Sequence, residues 1–457
     1  MSIKKRTLFN QKSTDMTQGR ILPLLVTFAV PILLGNIFQQ LYNMVDTWVV
    51  GNYVSNEAFS AVGSVGPIIN ALIGFFLGLS SGAGVVVSRH FGAGDEEDVN
   101  KTVHTAIIMT AFFSVIVTAA GVLMTPFFLN MMKTPPEVMP ESLSYLTIYF
   151  AGISGLMLYN IGAAILQAIG DSRSPFIFLT VSAALNVIGD FVFVLVFDMG
   201  VAGVAWATII SQWVSALLVI ITLMRTDTCV KLKLGSLRFD LDKFSMIVRI
   251  GIPAGIQMAI TSFSNIFVQS YINYFGADCM SGWTAYGKID SVMLLPMRAV
   301  GVAATTFVGQ NIGVGDDERV KAGIRTAQFL SFVSLGISMI PVMLFAPQLV
   351  AFFNPKPEVI ELGALIIRVM SPCYFIICVY DVLVGVMRGA GDAKTPMFIM
   401  LFSFVVFRQI YLYVMTNYIA NEVVPVIMGY PLGWLVCAVL IVIAFRRSKY
   451  TRRYARL

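Results

Sequence analysis

Two aspartates stand where a charge is hard to keep. Asp190 lies in LTVSAALNVIGDFVFVLVF, with apolar residues on both sides and with Ser182 and Asn186 at successive steps of four before it. That spacing puts the three on one helical face. Charge in hydrocarbon is costly, so a carboxylate in such a run is a functional-site candidate. Burial disfavours its ionised form, which suits the group to taking up and releasing a proton. Ionised, it can instead hold Na⁺ together with nearby oxygens. Asp46 ends a polar stripe in the first apolar run: Asn36, Gln39 or Gln40, Asn43, then Asp46 or Thr47. Steps of three and four again define one face, and lipid would penalise it, so it must turn toward protein or a water-filled cavity. Asp46, Asn186, Asp190 and Thr208 would supply four such oxygen-bearing side chains, for H⁺ or Na⁺. No cofactor is expected beyond that ion.

The elements that must position these residues follow from composition. Of 457 residues 57% are hydrophobic and only 12% charged, about half the charged share of a soluble domain. Runs of about 20 apolar residues can cross a bilayer as helix. Twelve such runs are predicted, at about 21–45, 57–83, 102–126, 143–167, 175–197, 201–224, 246–273, 280–308, 323–346, 361–385, 396–418 and 425–446. The first is too long for the core of a signal peptide. The net charge of +6 does not point to nucleic acid, because the cations cluster in alternate connections. Lys4, Lys5, Arg6, Lys12 and Arg20 precede the first run. Arg89 and Lys101 flank the second connection, and Arg225, Lys231, Lys233, Arg238, Lys243 and Arg249 lie in or beside the middle one. Arg446, Arg447, Lys449, Arg452, Arg453 and Arg456 form the tail, while the opposite connections hold only Lys133 and Lys356. By the positive-inside rule both termini face the cytoplasm of a multi-pass protein of the cell (inner) membrane.

The chain also repeats itself. SRHFGAGDEEDVNKTVHTA (88–106) and GQNIGVGDDERVKAGIRTA (309–327) share the same register, as do ILQAIGDSRSP (165–175) and VMRGAGDAKTP (386–396), all at an offset of 221. Pro31 and Pro253 match at 222. The expected organisation is a cytoplasmic segment 1–20, a six-helix lobe 21–224, a cytoplasmic linker 225–245, a second six-helix lobe 246–446 and a basic tail 447–457. An even number of spans per half gives both halves the same orientation, related by a pseudo-twofold axis along the membrane normal, a common transporter plan. The fold class is thus all-α integral membrane.

The second half departs at the acids. Val268 or Gln269 stands opposite Asp46, and Tyr411 opposite Asp190. Its seventh span keeps a neutral stripe (Gln257, Thr261, Asn265, Gln269, Asn273), so coupling is expected mainly in the first half. Lys288, Asp290, Arg298, Asp381 and Arg408 are charges within its spans. Asp381 is expected either to pair with Lys288, Arg298 or Arg408, or to bind a proton or substrate cation. Asn36, Gln39, Gln40, Asn43, Gln257, Asn265 and Asp381 form the expected cavity and substrate set. The FGAGD and IGVGD loops lack GK[ST] and follow no strand, so they are tight turns rather than phosphate loops. The five cysteines form no CxxC pair and read as packing thiols. The two histidines, His90 and His104, have no metal-ligand spacing. Nothing resembles a nucleophile–base set, so an integral-membrane enzyme ranks low. A passive channel remains open.

VDTWVVG at the end of the first span, the paired GAGD and GVGD loops, LQAIGDSRSP with MRGAGDAKTP, and GVAGVAWATIISQ on the sixth span resemble the multidrug and toxic compound extrusion (MATE) family over essentially the whole chain. The resemblance implies a twelve-helix, two-lobe exporter with a central cleft, expelling amphipathic, often cationic drugs or toxic metabolites in exchange for H⁺ or Na⁺. It assigns the ion site to Asp46, Asn186, Asp190 and Thr208. Some members carry a second carboxylate pair on the seventh and tenth spans. Here the seventh has no acid between Gly251 and Phe275, which leaves Asp381 alone. A lipid-linked glycan flippase of the same superfamily is the nearest alternative, and the chain is expected to act as a monomer in membrane lipid.

Overall fold

The computed structural model describes residues 15–447, apart from Lys133 and the side chains of five residues within helices. Lys4, Lys5, Arg6 and Lys12 and the tail residues Lys449, Arg452, Arg453 and Arg456 lie outside the described residues. Among the described residues the protein is helical with no strand. The first half comprises α1 (Ile21–Tyr53), α2 (Asn56–Gly92), α3 (Glu96–Met131), α4 (Met139–Ala168), α5 (Arg173–Phe191, continued by a π-helical turn Val192–Val196) and α6 (Gly200–Arg225). The second begins with α7 (Leu241–Asn273), then α8 (Ala277–Met293), α9 (Leu295–Val314), α10 (Asp317–Leu344) and the short α11 (Ala346–Phe353). Next come α12 (Pro357–Met370) and α13 (Tyr374–Gly389), which together make one span. So do α14 (Lys394–Leu401) and α15 (Arg408–Val414), joined through the π-helical turn Phe402–Phe407 and ended by Met415–Ile419. The last span is α16 (Val423–Ile427) with α17 (Gly429–Arg447).

Among the described residues eleven helices are long and apolar enough to cross a membrane, and the bent pair α8–α9, taken as one span, brings the number to twelve. The eighth predicted span is therefore not straight. It bends by 41° at Leu294, next to Pro296, whose ring supplies no N–H to continue the ladder. Outward-facing side chains match a lipid surround: Leu123 is 78% exposed, and Phe112, Val115 and Ile337 are also bare. A water-soluble surface would not carry so many.

The repeat is structural as well as textual. Gly94 (φ 72°) and Gly315 (φ 84°) both take the left-handed conformation, followed by Asp95 and Asp316, which cap α3 and α10 by accepting from the amides of Asp98 and Arg319. Gly170 and Gly391 repeat the device (φ 86° and 87°) before Asp171 and Asp392. These are the tight turns expected of the glycines, because only glycine enters that region freely.

The division into compact units differs from the expected lobes. One unit holds Leu34–Gly251, and the other holds Met16–Leu33 with the described residues from Ile252 onward. Each border falls inside a helix beside a proline, Pro31 in α1 and Pro253 in α7, where a missing amide bond loosens the ladder. Within the expected linker 225–245, several residues dock on α3. Val230 and Leu232 are buried, and Asn100 donates to the Lys231 carbonyl at 2.8 Å. His104 accepts the Lys233 amide at 3.4 Å, and Thr105 accepts the Asp240 amide at 3.1 Å. Lys243, 7% exposed, pairs with Asp98 and reaches His90 at 3.1 Å. Its ammonium lies against the group His90, Asp95 and Asp98 that would otherwise suggest a metal. In the second unit the matching loop is held from the N-terminal side. Arg319 donates to the carbonyls of Met16 and Gly19, at 3.0 Å and 2.9 Å, and Gln310 accepts the Met16 amide.

Candidate ion-coupling site

α1, α5 and α6 each bring one part of the first unit's acidic site. Gly189 lets α5 lie close to α6, since a Cβ there would stand 3.0 Å from that of Ala207. Ser182 fixes the register by donating to the Ser211 carbonyl at 2.8 Å. In this frame Asp46 (5% exposed), Asn186 (0%), Asp190 (0%) and Thr208 (5%) converge. Asn186 Nδ2 donates to Thr208 Oγ1 at 3.4 Å, and Thr208 Oγ1 donates to Asp46 Oδ2 at 3.5 Å or to the Val204 carbonyl at 3.0 Å. The two carboxyl groups adjoin one another. All four expected residues are thus brought together.

Their remaining oxygens decide what the site can do. Asp46 Oδ1, Asn186 Oδ1 and both carboxyl oxygens of Asp190 are buried without a hydrogen-bond partner among the described residues. Among the described residues no Lys or Arg pairs with either acid. Buried polar atoms are normally satisfied, and two ionised carboxylates side by side in low dielectric repel strongly. The donor set fits a proton shared by the pair, and equally a hard cation such as Na⁺, which prefers oxygen ligands.

Three tyrosines border the acids and were not anticipated. Tyr42, Tyr145 and Tyr149 are buried, and Asp46 acts electrostatically on all three. Tyr149 lies beside Gln212, and Tyr145 stacks on Tyr149 at 6.4 Å between ring centres. The i, i+4 spacing of Tyr145 and Tyr149 in SYLTIYF was the available signal, but tyrosine in an apolar helix also reads as ordinary core. In the rest of the α1 stripe Gln39 lies beside Tyr42; Asn36, Gln39 and Gln40 are half-buried and Asn43 is exposed.

In the second unit the expected residues scatter. Gln257 accepts from Arg388 at 3.4 Å and donates to Met400 Sδ. Asn265 accepts from Arg408 at 3.0 Å. Asp381 forms none of the expected ion pairs among the described residues. The cations that act on it are Arg298 and Arg388, not Lys288 or Arg408. It instead lies tight against α9, where a Cβ on Gly301 would meet its Oδ2 at 2.7 Å.

A family model, MatE, matches residues 31–192 and again 253–414, in the register of the internal repeat. The chain belongs to the MatE family. Among its relatives, the probable multidrug resistance protein YpnP of Bacillus subtilis (strain 168) is 28% identical over 438 residues, covering 96% of this chain and 98% of that protein. The probable multidrug resistance protein YoeA of the same strain is 27% identical over 454 residues, with 96% of each covered. A solved structure described as the outward-facing conformation of a multidrug resistance MATE family transporter superposes with a TM-score of 0.88 at 22% identity, covering 94% of this chain and 96% of that one. At that identity the likeness speaks for the fold. This MatE protein is a multi-pass membrane transporter and not an enzyme.

Proposed function

We propose that the protein is a secondary active exporter of amphipathic, often cationic small molecules, drugs or toxic metabolites among them, exchanged for H⁺ or Na⁺ at Asp46 and Asp190. The observation that carries this reading is the pair of adjoining buried carboxyls, three of whose own oxygens are unpartnered among the described residues together with Asn186 Oδ1. Empty and ionised, the pair is strained by burial and mutual repulsion. A proton or Na⁺ relieves both. A conformation that opens the site to water tolerates the empty pair better, so ion binding shifts the balance between states. If the solute prefers the other state, exchange follows, with the two ligands coupled reciprocally. Alternating access by movement of one half against the other then needs no ligand besides ion and solute. Asn186 and Thr208 orient the acids and offer neutral oxygens. Tyr42 and Tyr145 border them. We further propose a monomer in the cell membrane with both termini cytoplasmic, in keeping with the basic connections.

The test is ethidium transport by the full chain in proteoliposomes, with a proton gradient and a sodium gradient imposed separately. Uphill dye movement driven by one gradient, and lost in Asp46→Asn and Asp190→Asn, is the expected result. Dye that only equilibrates, or full coupled transport by both variants, would overturn the reading.

A further inference from the structure

Arg408 is the least expected charge in the second unit. It is 2% exposed within a membrane-spanning segment, and an arginine keeps its charge there. Among the described residues none of the chain's carboxylates pairs with it. The titratable groups that act on it are Tyr430 and Tyr380 alone. Asp290 is turned to Tyr374, and Asp381 faces Arg298 and Arg388. An intramembrane charge of this kind ordinarily has an opposite partner or a function.

The surroundings hold the guanidinium without neutralising it. Nε donates to the Phe404 carbonyl at 3.1 Å, and Nη2 to Ser264 Oγ at 2.7 Å and Asn265 Oδ1 at 3.0 Å. The group stacks 4.5 Å from the Tyr430 ring centre and 5.8 Å from that of Phe404. Nη1 has no acceptor among the described residues. Asn265, which covers one edge, is itself exposed. The π-helical turn Phe402–Phe407 sits directly before the arginine, and such turns recur at functional sites. Beside it lies a small opening lined by Gln257, Thr261, Met400 and Phe404 among others. Two of those lining residues are acceptors for guanidinium groups, Gln257 for Arg388 and Phe404 for Arg408.

We propose that Arg408, assisted by Arg388, receives an anionic group (carboxylate or phosphate) of an amphipathic molecule whose apolar part lies against the Met400 and Phe404 side chains at this opening. The inference rests on the reading of the chain as an exporter of amphipathic solutes. It adds that the second unit selects for acid-bearing ones. A planar fork stacked on an aromatic ring with a donor to spare is suited to bidentate capture of such a group, and the exposed Asn265 side chain is the one it displaces.

The test measures fluorescence polarisation of a rhodamine with a free carboxylate and of its methyl ester. The purified full chain is held in phosphatidylcholine nanodiscs with no ion gradient. In Arg408→Gln the acid-to-ester affinity ratio is expected to fall at least about tenfold, the scale of a lost charge-assisted bond. Arg408→Lys, which keeps the charge but not the fork, should fall less. Asn265→Asp places a competing carboxylate on the guanidinium without removing it, and should lower the ratio similarly. Should Arg408→Gln fail to fold, this second variant decides alone. A ratio unmoved in the folded variants overturns the site. Repeating the titration with phosphatidylglycerol in the discs separates the sources. If that lipid displaces the acid dye from wild type but not from Arg408→Gln, the site takes a lipid headgroup; undiminished dye binding assigns it to the solute. Wild-type protein that binds neither dye overturns both this site and the export reading, whereas ester binding with an unmoved ratio overturns the site only.

Discussion

The fifth span of the first half and its counterpart in the second occupy matching places in the repeat, yet they carry opposite chemistry. α5 presents Asn186 and Asp190, buried acid and amide with oxygens left over. At the positions matching Val187 and Asp190, the later segment carries Arg408 and Tyr411. Arg408 is a buried cation among neutral acceptors, and Tyr411 spends its hydroxyl on the Pro425 carbonyl at 2.9 Å. The turns, caps and helix order were kept through the duplication, because both copies need them to fold. The groups facing inward were free to diverge, since each copy keeps its scaffold whichever sign of charge it holds. An acidic unit for the coupling ion and a basic one for an anionic group would let a single duplicated frame carry two unlike ligands.

The strongest way to break this contrast is to remove the acids. Asp46→Asn and Asp190→Asn should each reduce ion-driven efflux to the level of protein-free vesicles while the thermal transition is retained or raised, because a buried charge has been deleted. Coupled transport surviving both substitutions would move the ion site elsewhere. Thr208→Val should do less. It keeps the shape and removes the hydroxyl that donates to Asp46 at 3.5 Å and accepts from Asn186 at 3.4 Å, so the ion concentration for half-maximal transport should shift by about tenfold, the worth of one hydrogen bond to a charged group. No shift would mean that the Thr208 hydroxyl stays on the Val204 carbonyl.

How much of this could be read from residue order depends on the range of the interaction. The twelve runs, the repeat and the stepwise placing of Ser182, Asn186 and Asp190 are local patterns, and a helix converts them directly into faces. Grouping Asp46 and Thr208 with them needed the family likeness, since α1 and α6 are distant in sequence. The Tyr42, Tyr145 and Tyr149 border, the docking of 226–240 on α3 and the isolation of Arg408 from every acid are long-range outcomes of packing. A basic residue in an apolar run has the same local appearance whether or not a carboxylate awaits it. The borders inside α1 and α7 were hidden for a related reason: hydropathy runs unbroken through Pro31 and Pro253, although the helical ladder does not.

Packing between helices gives a further contrast. In the first unit Gly82 and Gly251 meet so closely that a Cβ on Gly82 would lie 2.6 Å from Gly251 Cα. The matching positions of the second unit hold Ala303 and Ala29, both buried. Gly82→Ala should therefore cost about 1–3 kcal/mol by overpacking, whereas Ala303→Gly should cost about 1 kcal/mol or less through helix propensity. Thermal unfolding of both variants in the same detergent checks the order, and an equal loss would mean that the two interfaces are alike after all.

The smallest effect should come from a charge pair that resembles the others on paper. Lys356 Nζ meets both carboxylate oxygens of Asp278, at 2.7 Å and 2.8 Å, on the side of the second unit predicted to be external. Their side chains are 52% and 40% exposed, so water and salt screen the attraction. The hydrogen bond to Asp278 holds the Lys356 ammonium above its usual range. A raised lysine contributes stability that is fully present below its unfolded value and is lost as pH rises through the folded one. Any benefit is therefore already complete at neutral pH. Lys356→Ala should leave the thermal transition unchanged within error between pH 6 and 8, with or without added salt. Lys243→Ala removes a cation that is 7% exposed and leaves Asp98 and His90 facing each other across the α2–α3 turn. It should lower that transition measurably. If the two lysines proved equal, burial would not be what separates a pair that holds a loop from one that decorates a surface.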